Sequence, residues 1–314
     1  MTTKKITLKK SRKNDFAPIV LFVYKRLALT QLVINAILRN PEARKSDLII
    51  FSDGPKNIND KNKVIEVRAY LKSLRGFKSI KLIFRKKNLG LANSFIAGIT
   101  EVLIDFESAI FVEDDNLVSP GFLSFMNKAL NYYRDDVRVG SVTGYSFPIW
   151  PRQDKPFFIR GATTWSMGIW RRSWHYFNPD SKALMIELEY KKLVRKLSQS
   201  GFGFYSMLQS QITGEIDSWG VRWWVSNFVN DMYCLYPHQP LCISIGYGDD
   251  SVHCKGDYHP LYRKPSELVG RVMLSTLPCK VKETYFTSIA IKLMNYVLFG
   301  IIWRLKSAFK KHIR

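Results

Sequence analysis

The chain has 314 residues, enough for one large globular domain or two modest ones. Hydrophobic residues make up 46% of it and charged residues 24%, which excludes intrinsic disorder, coiled coils and collagen-like folds. The 48 Lys and Arg residues outnumber the 26 Asp and Glu residues, so the net charge is +22. A charge of this size predicts an anionic partner, such as nucleic acid, a phospholipid surface or a phosphorylated substrate.

The first 145 residues alternate between predicted strands and helices. Short apolar runs bounded by turns predict strands, and apolar residues three and four positions apart predict helices. The predicted elements are strands at 18–24, 47–52, 80–84, 108–112 and 137–143, and helices at 27–38, 61–74, 91–104 and 119–135. Buried strands joined by helices predict an α/β fold with a mostly parallel sheet flanked by helices.

The second half has a looser pattern. We expect a loop at 147–161, a helix at 187–198, an aromatic-rich helix near 218–227 and short strands within 234–245. The cysteines are widely spaced and form no CxxC pair, which favours buried, reduced thiols over a metal site or a disulfide framework. They are Cys234, Cys242, Cys254 and Cys279.

Charged residues follow each of the first four predicted strands. Lys25 and Arg26 follow the first, Asp53 the second, Arg85 the third, and the acidic run 113–115 the fourth. Ligands of open parallel sheets bind beyond the carboxyl ends of the strands, so we expect these groups to meet at one edge. The sequence has no GxGxxG after its first strand and no GxxxxGK[ST], which disfavours dinucleotide-binding and P-loop proteins.

The acidic run is Glu113-Asp114-Asp115. Carboxylate oxygens suit Mg²⁺ or Mn²⁺, and such ions share their coordination with substrate phosphates. The alternative is an acidic loop before a helix, with Asp115 or Ser119 as the helix N-cap. The position directly after a buried strand favours the metal interpretation.

Four segments together resemble a known family: PIVLFVYKR, IIFSDGPKN, KNLGLANSFIAGI and AIFVEDDNLVSPGFLSFMNKAL. The chain resembles nucleotide-sugar glycosyltransferases of the GT-A fold over about residues 16–255, and is most similar to bacterial sugar transferases related to N-acetylglucosaminyltransferase I. The resemblance implies a GT-A domain at 16–262. Its nucleotide-sugar-binding half is 16–145 and its acceptor half 146–262.

The resemblance also implies roles for the charged groups. Asp115 corresponds to the ligand of a Mn²⁺ or Mg²⁺ ion that bridges the diphosphate of the donor, which we expect to be a UDP-sugar. Glu113 and Asp114 lie near the ribose or the sugar. Arg26 corresponds to a basic residue that contacts the donor, and Arg85 is the alternative for that role.

Further nucleotide contacts follow from the same resemblance. Asp53 corresponds to an acid that reads the nucleobase, although an Asp-Gly turn preference explains its presence equally well. Asn88 and Gly90 correspond to a turn that approaches the nucleotide. His253, in the segment 248–253, corresponds to a second ligand of the metal or the diphosphate.

The acceptor half is expected to supply a general base. Inverting transfer needs a carboxylate that takes the proton of the acceptor hydroxyl. Residues 216–222 resemble an acid-Trp-Met-Arg segment of the family but are one residue longer and lack Met, and they make Asp217 the first choice. Asp231 and Asp249 are reserves, and a helix-capping Asp is the plain alternative. Trp165 lies in a segment that resembles the loop closing on donor sugar and acceptor.

The two ends of the chain are basic. Residues 1–14 and 284–314 each hold six Lys or Arg residues and no acid. We expect a basic arm at 1–15, without a secretory signal, and a membrane-associating tail at 263–314. The segment 285–303 is largely apolar, but Lys292 and Asn295 near its middle disfavour a span and favour an amphipathic helix in the headgroup plane. We therefore expect a cytoplasmic protein, peripheral at the inner membrane face, acting on a glycan or lipid-linked glycan.

Three other functions remain open from the sequence. A nucleic-acid-binding protein would explain the charge, but no recognition helix, RNP-type strand or zinc spacing is present. A catalytically inactive GT-A scaffold would explain the imperfect segment around Asp217. A nucleotidyltransferase would also combine a parallel sheet with metal-binding carboxylates, but its Gly/Arg/Lys-rich loop after the first strand is absent.

Overall fold

The computed structural model describes residues 16–149, 153–200, 202–246, 268 and 276–295. The strands in this part of the chain are β1 Ile19–Val23, β2 Asp47–Ser52, β3 Ser79–Phe84, β4 Ser108–Glu113, β5 Asn116–Val118, β6 Val139–Thr143, β7 Phe157–Arg160, β8 Met167–Trp170, β9 Tyr233–Tyr236 and β10 Cys242–Ser244. The α-helices are α1 Leu27–Leu38, α2 Ile58–Ser73, α3 Leu91–Asp105, α4 Phe122–Tyr132, α5 Arg171–Trp174, α6 Ser181–Tyr190, α7 Val194–Ser198, α8 Phe204–Ile212, α9 Trp219–Val229 and α10 Tyr285–Asn295.

Eight strands form one continuous sheet in the order β3-β2-β1-β4-β8-β6-β9-β7. The first four are parallel, β6 is parallel to β9, and β8 and β7 are antiparallel to their neighbours. Six of the eight strands therefore run in one direction. This confirms the predicted α/β class with a mostly parallel sheet flanked by helices.

Both faces of the sheet are buried. Alternate side chains of β1 point to opposite faces, so Ile19 and Leu21 join one hydrophobic core with α1, and Val20 and Phe22 join a second core with α3. All five residues of β1 are buried. A strand with helices on both sides has no solvent-facing side, which explains its uninterrupted apolar sequence.

The parallel register brings several strand ends to one edge. Phe22 of β1 is opposite Phe51 of β2 and Glu113 of β4, and Ser52 is opposite Phe84 of β3. The residues that follow these four strands therefore emerge side by side, as expected for a ligand site in an open sheet.

A second, two-stranded sheet brings a distant segment to the same edge. β5 pairs with β10 antiparallel, with Asn116 opposite Ser244, and the backbone N–H of Ile245 donates to the carbonyl oxygen of Asp115 at 2.8 Å. Residues 242–246 are therefore held against the acidic run.

Several elements differ from the sequence predictions. The predicted helix at 187–198 is two helices, α6 and α7, because Lys192 has a left-handed φ of 56° that ends the first one. The predicted loop at 147–161 contains strand β7, and α8 was missed. Only Leu208 of α8 is buried, although Phe204, Met207 and Ile212 share its helical spacing.

Candidate active site

A cleft of about 210 Å³ opens at the carboxyl ends of β1, β2 and β4. Most of the residues predicted to bind the nucleotide-sugar meet here. Its lining includes Arg26, Asp53, Asn88, Gly90, Glu113 and Asp114. These six residues come from segments that are far apart in sequence, and the register of the sheet brings them together.

Arg26 connects β1 to the acidic run. It is the N-cap residue of α1, and its Nη2 donates to Oδ1 of Asp114 at 2.5 Å and to Oδ2 of Asp115 at 2.8 Å. Burial opposes the charged guanidinium, but the two carboxylates outweigh it and raise the pKa of Arg26 above its ordinary value. Arg26 is therefore a permanent cation between two acids.

The acidic run is the most electrostatically strained part of the cleft. Burial raises the pKa of Asp114 to about 6, although Arg26 acts in the opposite direction. Burial and the neighbouring carboxylates of Asp115 and Asp114 raise the pKa of Glu113 well above its ordinary value. Raised pKa values mean that these carboxyl groups ionise less readily than free ones, and a cationic ligand would favour their ionised form.

The carboxylate of Asp115 lies against the end of the second sheet. Its side chain is 19% exposed, and a Cβ built on Gly246 would lie 2.1 Å from its Oδ2. The helix-capping alternative is not observed, because α4 has Gly121 at its N-cap position and no side-chain cap. Asp115 does not itself line the cleft, but packing against Gly246 and the contact with Arg26 hold it beside residues that do.

The carboxylate oxygens of the acidic run suit a hard divalent ion, but they are too few to bind it alone. Within the residues that the structure describes, no three His, Cys, Asp or Glu side chains converge as a metal site. The oxygens of Asp114 and Asp115 suit Mg²⁺ or Mn²⁺ when substrate oxygens and water complete the coordination. The residues present therefore fit a metal ion whose remaining ligands come from water or a bound molecule, and within the described part of the chain they do not form an all-protein cage.

Asp53 holds the loop between β3 and α3. Its Oδ2 accepts from the backbone N–H of Leu89 at 2.9 Å, and its Oδ1 lies 3.5 Å from Nη1 of Arg85. Burial raises the pKa of Asp53. Arg85 also bonds Ser94 and lies over the ring of Phe51, so its guanidinium is directed toward Asp53 and α3. Of the two arginines considered from the sequence, Arg26 is the one that contacts the acidic run.

The turn at 88–90 is tied to the end of β2. The Asn88 side-chain amide donates to the carbonyl of Gly54 at 2.9 Å, and its Oδ1 accepts from the N–H of Gly90 at 3.0 Å. A Cβ on Gly54 would lie 2.7 Å from the carbonyl oxygen of Lys86, so only glycine fits this close approach. Gly90 has a φ of 75°, which glycine adopts without strain, and α3 begins at the next residue.

Sequence reasoning missed the aromatic residues of the cleft. Phe95 of α3 stacks on Phe22 with ring centroids 3.9 Å apart, and both line the cleft. Tyr24 lines it too, and its hydroxyl donates to Asp60 at 2.8 Å and accepts from the N–H of Lys56 at 2.8 Å. Tyr24 directly precedes the predicted basic pair, but nothing in a single sequence separates a cleft aromatic from a core one.

Asp217 lies directly before α9. Its side chain is 64% exposed, and its Oδ1 accepts from Nη2 of Arg222 at 2.9 Å. Ser218 caps the helix by accepting from the N–H of Val221, so Asp217 is not the capping residue. Asp217 does not line the cleft, and its role as a base stays a prediction.

The segment that contains Asp217 is connected to the cleft through two stacked aromatic residues. Trp219, in the first turn of α9, stacks on Phe95 with centroids 5.0 Å apart. Thr164, next to Trp165, lies 3.1 Å from a Cβ built on Gly220. The predicted acceptor-side loop and the start of α9 are therefore neighbours. Trp165 itself packs edge-on against Tyr145 and does not line the cleft.

The remaining candidates lie elsewhere. Asp231, a reserve base, follows the opposite end of α9 and pairs with Nη1 of Arg160 at 3.0 Å. His253 and Asp249 fall outside the described residues, as do Cys254, the basic arm at 1–15 and most of the tail.

Comparisons with known proteins give partial structural matches. The sequence matches no protein-family model and no curated protein. Among solved structures, it is similar to the mannosyltransferase PcManGT from Pyrobaculum calidifontis in complex with GDP-Man and Mn²⁺, with 15% identity, 41% of this chain and 34% of that chain covered, and a TM-score of 0.30. It is also similar to a putative nucleotide-diphospho-sugar transferase from Desulfovibrio desulfuricans G20, with 16% identity and a TM-score of 0.34. This match covers 54% of this chain and 68% of that one. The chain thus spans about a third of the length of the mannosyltransferase.

Proposed function

We propose that the protein is a metal-dependent glycosyltransferase that moves a hexose or N-acetylhexosamine from a nucleotide-sugar, a UDP-sugar first of all, to a hydroxyl of a glycan or lipid-linked glycan. One observation carries the proposal. Six of the seven residues that the sequence selects for nucleotide-sugar binding, all except Trp165, line a single cleft at the carboxyl edge of a mostly parallel sheet. A cleft of this kind combines apolar walls for a base with charged groups for a diphosphate.

The proposed roles follow the contacts. Phe22 and Phe95 would offer an apolar surface to the nucleobase, and Asp53 is one of the polar groups that line the same cleft. A divalent ion bound by Asp115 would supply charge stabilisation for the leaving diphosphate. Arg26 adds a fixed positive charge beside the same oxygens.

The acceptor side completes the reaction. Asp217 is proposed to take the proton of the acceptor hydroxyl, which would give inversion at the transferred carbon. Arg222 would orient this carboxylate through their 2.9 Å ion pair. The proximity of the start of α9 to Phe95, through Trp219, is the structural support for this assignment.

The test is calorimetric titration of the protein with UDP, GDP and their sugars, each with and without Mn²⁺. We expect micromolar binding of one nucleotide that weakens at least tenfold without the metal. Asp115→Asn should remove the metal dependence, and Asp47→Asn, at the opposite edge of the sheet, is the matched control. Failure of every nucleotide to bind contradicts the proposal. Metal-dependent binding without transfer to any acceptor would indicate the inactive scaffold instead.

We also propose that α10 contributes to membrane association. The helix packs on the body through Thr287 and Ile291, which are buried, while Tyr285, Phe286 and Leu293 are 77%, 77% and 57% exposed. No helix in the described part of the chain is both long and apolar enough to cross a membrane. An exposed apolar face followed in sequence by basic residues suits an anionic lipid surface.

Sedimentation with vesicles tests this second proposal. The full chain should bind vesicles containing phosphatidylserine and not vesicles of phosphatidylcholine alone. The double variant Phe286→Ser, Leu293→Ser should reduce binding at least fivefold. Ile186→Ser, which alters an apolar side chain of α6 that is 66% exposed, is the control and should have no effect. If the double variant binds vesicles as tightly as the wild-type protein does, α10 has no role in membrane association.

A further inference from the structure

Arg26 lies between the carboxylates that are expected to meet a metal ion. A single nitrogen of its guanidinium, Nη2, makes both the 2.5 Å contact to Asp114 and the 2.8 Å contact to Asp115. It therefore lies where a cation shared by the two acids would lie. The Arg26 side chain is 24% exposed, so it can leave this position without disturbing the core.

This arrangement sets up a competition. A free divalent ion that approaches Asp114 and Asp115 must displace a guanidinium already paired in a partly buried site, where charge interactions are stronger than in water. The displaced guanidinium would then need a new partner, since an unpaired charge in such a site is costly. A metal ion arriving alone provides no such partner.

A nucleoside diphosphate provides it. Guanidinium groups bind phosphate oxygens through paired, charge-assisted hydrogen bonds, so a diphosphate in the cleft can receive Arg26 as the carboxylates release it. Resting on the proposed function, we infer that Arg26 is a resident counter-cation of the metal site. It exchanges between the carboxylates and the donor diphosphate, and this exchange makes the metal ion and the nucleotide bind cooperatively.

The cooperativity is reciprocal by linkage, so it can be measured from the metal side alone. The probe is Mn²⁺, followed by the loss of its free electron paramagnetic resonance signal, with and without UDP. Four full-length proteins are compared: wild type, Arg26→Gln, Arg26→Lys and Arg39→Gln. Arg39→Gln is the matched control, because Arg39 follows the other end of the same helix. That end lies about 18 Å away along the axis of α1.

We expect Arg26→Gln to bind Mn²⁺ without nucleotide at least tenfold more tightly than wild type, and Arg39→Gln to stay within twofold of it. UDP should raise the Mn²⁺ affinity of wild type more than tenfold and that of Arg26→Gln by a smaller factor, because in the variant only the diphosphate oxygens, and not the release of Arg26, couple the two ligands. Arg26→Lys keeps a cation and therefore the fold, and should give an intermediate Mn²⁺ affinity. If circular dichroism shows that Arg26→Gln does not fold, the comparison of Arg26→Lys with wild type tests the inference instead.

Two results would overturn the inference. One is an Mn²⁺ affinity without nucleotide that is unchanged or weaker in both Arg26 variants. The other is an undiminished effect of UDP on Mn²⁺ binding by them. Failure of the proposed function would give a different result, because wild type would then bind no nucleotide with or without Mn²⁺. The nucleotide-free comparison of Arg26→Gln with Arg39→Gln would still show whether Arg26 competes with Mn²⁺ for the carboxylates.

Discussion

Replacing Gly246 with alanine should damage the proposed metal site and push residues 115 and 246 apart. The new Cβ would lie 2.1 Å from Oδ2, 2.7 Å from Cγ and 2.9 Å from Cβ of Asp115. Ordinary contact begins at 3.4 Å, so the carboxylate oxygen has to move by about 1.3 Å. Rotation of the Asp115 side chain would move the carboxylate and break its 2.8 Å contact with Arg26, but it leaves the Cβ in place, so the backbones of residues 115 and 246 must also move apart.

The expected magnitudes follow from that displacement. Loss of one charge-assisted hydrogen bond should lower the free energy of unfolding by about 1.5–3 kcal/mol. Misorientation of a metal ligand should weaken Mn²⁺-dependent nucleotide binding by about 10- to 100-fold, as for other changes that disturb a ligand's support. Calorimetric titration measures nucleotide and Mn²⁺ binding, and urea denaturation measures the free energy of unfolding.

The matched control is Gly220→Ala. Its Cβ would lie 3.1 Å from the methyl group of Thr164, a contact that a small shift relieves, and alanine is the better helix former in α9. Gly220→Ala should therefore bind nucleotide and Mn²⁺ as wild type does. If Gly246→Ala also binds them as wild type does, the position assigned to the Asp115 carboxylate is wrong.

Three further predictions address other parts of the molecule. Asp217→Asn should slow sugar transfer at least about 100-fold while nucleotide binding stays within twofold, and unaltered transfer would remove the residue from the base role. Trp219→Ala should lower the free energy of unfolding in urea by about 3–5 kcal/mol, and a loss below about 1 kcal/mol would contradict the importance of its stacking. Burial raises the pKa of Cys234 and of Cys242 to about 12, which favours the neutral thiol, so at pH 8 a thiol reagent should label exposed Cys279 and leave both unlabelled until unfolding, as peptide mass spectrometry would show.

The first half of the fold is predictable because its signals are local. The helix α1 and the strand β2 begin and end at the predicted residues, since an apolar run or a helical apolar pattern bounded by turn residues is complete within each segment. The strand β7 was missed because it is held at the edge of the sheet by pairing with β9, a partner far away in sequence. Its own flanking Pro and aromatic residues are more typical of a loop.

The candidate site also has features that the sequence predicts and features that depend on contacts between distant segments. A charged residue directly after a buried strand is visible in the sequence, and the topology of a parallel sheet then predicts that such residues meet. The choice between Arg26 and Arg85 is not visible, because both follow strands. It depends on Asp53 and Phe51, which attract Arg85 away from the acidic run. The contact between Gly246 and Asp115 likewise depends on the pairing of β5 with β10.

The stack of Phe22, Phe95 and Trp219 has a consequence for engineering. One ring comes from the central strand, one from α3 and one from the start of α9, so a single apolar column joins the proposed donor and acceptor halves. Chimeras that graft the acceptor half of another transferase onto this scaffold must therefore bring an aromatic residue at the Trp219 position. Without it, the foreign half would lack the surface that sets its distance from the donor.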